Sequence, residues 1–138
     1  MANLSDLLSA TNFVGAQGPA GPAGPTGSAS PRGLTIDNPT SSENVVLFFT
    51  AESLTFSQIR SVVKGTTPSV TFSVRYGTDT SAGGTEVVTS GITVTNTTTG
   101  LATTSFNNDT VPTNNYVWIT TSALSGTVNS LNITLIFT

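Results

Sequence analysis

The 138-residue chain has no cysteine, no histidine, one methionine and one tryptophan, and only 8 % of its residues are charged. Each shortage removes a class of chemistry. Without Cys there is no disulfide framework, thiolate nucleophile or thiolate metal site. Without His the usual general base and the commonest transition-metal ligand are missing, so the abundant Ser and Thr hydroxyls have no partner to activate them. Four basic residues against seven acidic ones give a net charge of −3. Arg32, Arg60, Lys64 and Arg75 are too scattered to displace counterions from a phosphate backbone, so nucleic acid is not an expected partner. No run approaches the roughly 18 apolar residues of a bilayer-spanning helix, and no membrane is expected either. Residues 1–14 lack the basic start and apolar core of a secretory signal, which predicts synthesis and assembly in the cytoplasm.

What is there falls into three segments. In residues 1–14, Leu4, Leu7 and Leu8 stand at i, i+3 and i+4 with Asp6 in the first turn, which predicts a short helix. So short a helix is unstable alone. Its apolar face, with Phe13 and Val14, is expected to be an anchor buried against sister copies or a larger assembly. A frayed chain end is the competing reading.

Residues 15–33 carry the sharpest pattern. Gly15, Gly18, Gly21, Gly24 and Gly27 recur strictly every third position, and Pro19, Pro22 and Pro25 all directly follow a glycine. This is the collagen rule, under which three polyproline-II chains wind together and only Gly fits at the shared axis. The phase continues through an interruption at Ser30 to Gly33. The five clean triplets would span about 45 Å, the length of a spacer rather than a filament. A plain Gly/Pro/Ala linker is the alternative, although random placement rarely produces five glycines and three prolines in one phase. So short a triple helix needs a neighbouring unit to trimerise it.

Residues 34–138 read as all-β, because Thr favours strands and Ser and Asn are poor helix formers. Val70, Phe72, Val74 and Tyr76 alternate with Thr71, Ser73 and Arg75, and Leu131, Ile133, Leu135 and Phe137 repeat the pattern. Further strands are predicted at Asn44–Ala51, Leu54–Val63, Thr85–Thr95, Gly100–Phe106 and Asn115–Ala123. Turns are predicted at Lys64-Gly-Thr-Thr-Pro68, Gly77-Thr-Asp79, Ala82-Gly83-Gly84, Asn107-Asn108-Asp109 and Ser125-Gly126. About seven or eight short strands predict a jelly-roll-like antiparallel β-sandwich head. The continuous apolar runs Val45–Phe49 and Tyr116–Ile119 leave apolar residues on both strand faces, and a threefold interface would cover the outer one. Homotrimer is the expected state.

Candidate chemistry is sparse. Asp79, and separately Asn107-Asn108-Asp109, offer oxygens for Ca²⁺, but a turn-forming role is the simpler one for both. Gly83-Gly84 lacks the following helix and Lys-Ser/Thr pair of a phosphate cradle. No catalytic residue, metal site or cofactor is expected, and the chain reads as a non-enzyme. Tyr116 and Trp118 stand out as an interface, or as a platform on which a sugar could stack.

A short N-terminal anchor, a few Gly-Pro-Ala triplets and a Thr/Asn-rich β-domain form a combination that resembles small virion proteins of tailed bacteriophages, particularly those of aquatic bacteria. The likeness covers most of the chain after Asn12. It is carried by Thr67-Pro-Ser-Val-Thr-Phe-Ser-Val-Arg-Tyr-Gly-Thr-Asp79, Val111-Pro-Thr-Asn-Asn-Tyr-Val-Trp118 and Ser125-Gly-Thr-Val-Asn-Ser-Leu-Asn-Ile-Thr-Leu135. Such proteins decorate heads or build fibres, so the resemblance implies a place in the virion. The expectation is a capsid decoration protein whose residues 1–14 dock on other virion proteins. The alternative is a tail-fibre or adhesin tip binding host-surface glycan. Trimeric collagen-like surface or spore-coat proteins are a more distant possibility, because they usually carry much longer Gly-X-Y runs.

Overall fold

Alternating apolar and hydroxyl residues make strands here, as the pattern predicts. In the computed structural model, which describes residues 18–21 and 30–138, every regular element among those residues is a β-strand. In chain order they are β1 (Arg32–Asp37), β2 (Asn44–Phe49), β3 (Leu54–Gly77), β4 (Thr85–Glu86), β5 (Ile92–Val94), β6 (Leu101–Thr103), β7 (Thr110–Val111) and β8 (Tyr116–Phe137). All pairings are antiparallel.

Two long strands organise the rest. β3 and β8 pair with each other from Phe56↔Phe137 at one end to Gly77↔Tyr116 at the other. At one end β1 flanks β8 and β6 flanks β3, giving the order β1-β8-β3-β6. At the other end β2 flanks β8, while β5 and β4 flank β3. β7 pairs with the first residues of β3.

Length is where expectation and structure part. The turns predicted at Lys64–Pro68 and Ser125–Gly126 are not chain reversals but facing irregularities inside β3 and β8. The register slips between Lys64 and Gly65 and again between Thr66 and Ser69, opposite Ser125–Val128. Gly126 at φ 69° and Thr67 at φ 45° take up the distortion. Bulges add twist and bend a strand, and two that face each other bend the ribbon as a unit.

The two ends share one core. Ile59, Val63, Leu131, Ile133 and Leu135 from one end join Val70, Phe72, Val74, Val117 and Ile119 from the other in a single buried cluster. Phe48 of β2 meets Phe137 edge-on, with ring centroids 6.0 Å apart. Each fully buried side chain of this kind contributes about 1.5–3 kcal/mol. One position breaks the pattern: Ser61 is buried among them and its Oγ has no hydrogen-bond partner among the described residues.

The head starts slightly earlier than the glycine phase suggests. Gly33 pairs with Thr134 and Arg32 with Leu135 in β1, so the sheet begins at Arg32 rather than Leu34. A residue laddered into its own sheet does not also occupy a triple-helix axis, and Gly33 leaves the predicted axial set. Gly18 and Gly21 lie before the sheet, and a Cβ on either would meet nothing within 4 Å. Gly15, Gly24 and Gly27, and the predicted anchor residues Leu4, Leu7, Leu8, Phe13 and Val14, lie outside the described residues.

Candidate interaction surface

Strand parity places three cross-strand rows on the outer face of the β2-β8-β3 end. Asn44, Thr120 and Ser73 make one row; Val46, Trp118, Arg75 and Glu86 the next; Phe49, Tyr116 and Gly77 the third. Val117 and Ile119, between them on β8, point into the core. This parity explains why the Tyr116–Ile119 run is apolar throughout: each face of the strand has something to cover.

Trp118 is covered from within its own chain. Its ring packs beneath Gly77 and Gly84, where a Cβ would lie 3.3 Å and 2.5 Å from Cη2, and the indole is only 1 % exposed. Arg75 holds this arrangement. Its Nε donates to Thr120 Oγ1 at 3.1 Å, its Nη1 donates to the Gly83 carbonyl at 2.8 Å, and its Nη2 pairs with the Glu86 carboxylate. A sugar-stacking platform needs an open ring face, so the structure removes Trp118 from that role. Neither the indole's cover nor Arg75's part in it has a signal in the local sequence, because the covering loop is set by the tertiary fold.

The third row is different. Phe49 is 50 % exposed and Tyr116 39 %, and their rings meet at 4.9 Å and 61°. Val46, in the neighbouring row, is also exposed. Phe49 and Val46 lie on β2, which among the described residues pairs with β8 alone and so leaves its other edge open, and Tyr116 faces Phe49 from β8. Phe48, beside them, is capped by the Arg32 guanidinium 4.7 Å from its ring centroid. Nothing in the sequence spacing of Arg32 and Phe48 signals this cation–π contact, which the tertiary fold creates.

Several clefts open among the described residues of the head. One of about 280 Å³ is lined by Ser30, Arg32, Phe48, Phe49, Glu52 and Leu54, among others, and sits where the chain enters β1. A second, of about 420 Å³, is bordered by Asn44, Ser73, Arg75, Thr120 and Ser122 beside the covered Trp118. The third, about 160 Å³, lies between Arg60, Thr98, Thr99 and Asn132.

The oxygen-rich loops are engaged in hydrogen bonds of their own, Asp79 within its turn and Asn107-Asn108 to the segment 86–89. Asp79 accepts hydrogen bonds from Ser81 Oγ at 2.6 Å and from Ser81 N at 2.9 Å, which together hold its carboxyl below the ordinary carboxylate range. Asn107 Oδ1 accepts from the Thr89 backbone and hydroxyl, and Asn108 Nδ2 donates to the Glu86 carbonyl. Among the described residues no three Asp or Glu side chains converge on one point. The most distinctive feature of the surface is thus an exposed aromatic edge rather than a cluster of reactive groups. No protein-family model, no curated protein and no solved structure matches the chain.

Proposed function

We propose that the chain is a structural virion protein, a capsid decoration protein in which three jelly-roll-like heads are carried on a short collagen-like triple helix and dock through residues 1–14. The observation that carries this reading is the environment of Gly18 and Gly21. Both belong to the period-three run, yet among the described residues neither has a neighbour within 4 Å of where a Cβ would be. None of the described residues demands glycine there. Two further copies at a common axis would demand it at every third position.

The head suits the same reading. Each end of the ribbon carries β8 and β3 in the middle with a shorter strand on either side, as the two layers of a jelly-roll-like sandwich would. Three associated heads would bring the chains leading into β1 together, which removes the main entropic barrier to winding a short stem. The stem in turn presents three copies of residues 1–14, so weak docking of each becomes strong jointly. The role is assembly, without a catalytic step. The resemblance to small phage proteins supplies the virion setting.

Separated heads and tails from purified particles, probed for this protein, test the reading. Presence in heads is expected; presence in tails alone would overturn it. A second reading, a fibre-tip adhesin for host-surface glycan, is favoured by the cleft of about 420 Å³ with Asn44, Ser73, Thr120 and Ser122 on its walls. Hydroxyl and amide groups of this kind hydrogen-bond sugars. A glycan array without hits, together with unchanged adsorption of particles lacking the protein, would remove it.

A further inference from the structure

We infer that the edge formed by Phe49 and Tyr116, together with the cleft holding Arg32, is the surface through which the heads contact one another around the threefold axis. The inference rests on the trimeric stem of the preceding subsection and adds where on the head the copies meet.

The argument is one of reach. Gly27 is the last glycine in unbroken phase, and Arg32, five residues on, is already laddered to Leu135. Five residues extend at most about 17 Å. A domain of about 100 residues has a radius of gyration of about 13 Å, so this tether is no longer than the head is wide. With Gly27 at the axis, the side of the head that carries Arg32 is held facing the axis. No head can turn that side outward.

The surface on that side is the apolar one. Arg32 lies over Phe48, Phe49 lines the same cleft, and Phe49 packs on Tyr116 at 4.9 Å. Half-exposed aromatic rings beside one another are what an interface core buries. The rim is complementary in charge. Arg32 and Glu52 border one cleft, and among the described residues neither forms an ion pair within its own chain. A neighbouring copy around the axis could therefore offer the opposite charge to either of them.

Full-length chains carrying Phe49→Asp, Tyr116→Asp or Leu101→Asp test this by light scattering across a dilution series. Leu101 is the control, an exposed apolar residue on the opposite flank of the sheet, in β6. Trimers are expected for the wild type and for Leu101→Asp. Each of the other two variants should dissociate at protein concentrations at least tenfold higher than the wild type. Head folding is checked by the circular dichroism of the strands, and two independent variants guard against one that fails to fold. Trimers of unchanged stability for both Phe49→Asp and Tyr116→Asp would overturn the inference while leaving the trimeric stem intact. A monomeric wild type would overturn both.

Discussion

Gly84 lies directly against the indole of Trp118, so close that a Cβ there would be 2.5 Å from Cη2 and 2.7 Å from the Tyr76 carbonyl oxygen. Gly84 also sits at φ 65°, a region that side chains with a Cβ avoid. Gly84→Ala should therefore destabilise the head by about 2 kcal/mol, from strain and overpacking together. The check is a urea titration, in which the midpoint falls while the slope stays constant.

Arg75 ties the same loop to the sheet through Gly83, Glu86 and Thr120. Arg75→Ala should cost about 1–2 kcal/mol, a modest figure because the ion pair is partly solvated. Trp118 is the only tryptophan, so its emission reports the covering loop alone. Emission should shift to longer wavelength in the variant, and an unshifted spectrum would show that the loop holds without the arginine.

Ser61 Oγ is buried without a partner, a loss the folded state carries with no evident return. Ser61→Ala should raise stability by about 1 kcal/mol, since it removes the desolvated hydroxyl and leaves little empty volume. Thermal unfolding at neutral pH measures it.

Asp79 titrates below the ordinary carboxylate range because Ser81 holds its ionised form. With the folded value depressed, the contact's contribution is present above the unfolded value and is lost as pH falls through the folded one. An NMR titration should place the Asp79 midpoint higher in Ser81→Ala than in the wild type.

Gly21 has open space around it among the described residues. On the proposed triple helix, Gly21→Val should leave head unfolding unchanged but abolish a separate low-temperature transition of the stem, because the side chain would obstruct only a shared axis. Stem and head melting together, both lost in the variant, would contradict that division.

The strand pattern was legible because one face of each strand meets the core: Val70, Phe72 and Val74 alternate as plainly in the sequence as in the sheet. The corner was not. Gly65, Pro68 and Gly126 have the chemistry of turns, and the same chemistry makes bulges. Only the partner strand decides between the two, and Gly65 stands opposite Val128, sixty-odd residues later in the chain. Four expected short strands are thus two long ones. At the surface, the apolar runs Val45–Phe49 and Tyr116–Ile119 told that both faces of β2 and β8 need cover. They could not tell that Trp118 finds it from its own loop while Tyr116 and Phe49 stay open.

The pairing of β1, β2 and β3 with β8 also sets an order of events. Among the described residues β1 and β2 have no other strand partner, and β8 is the last of the described strands to be synthesised. While a nascent chain grows, its first strands wait without a ladder, since their hydrogen bonds belong to residues 116–137. Non-local pairings of this kind form late and slowly. The head thus closes only once β8 has left the ribosome, and β1 and β2, though made before it, come into register only then. Assembly by this route runs backward along the chain.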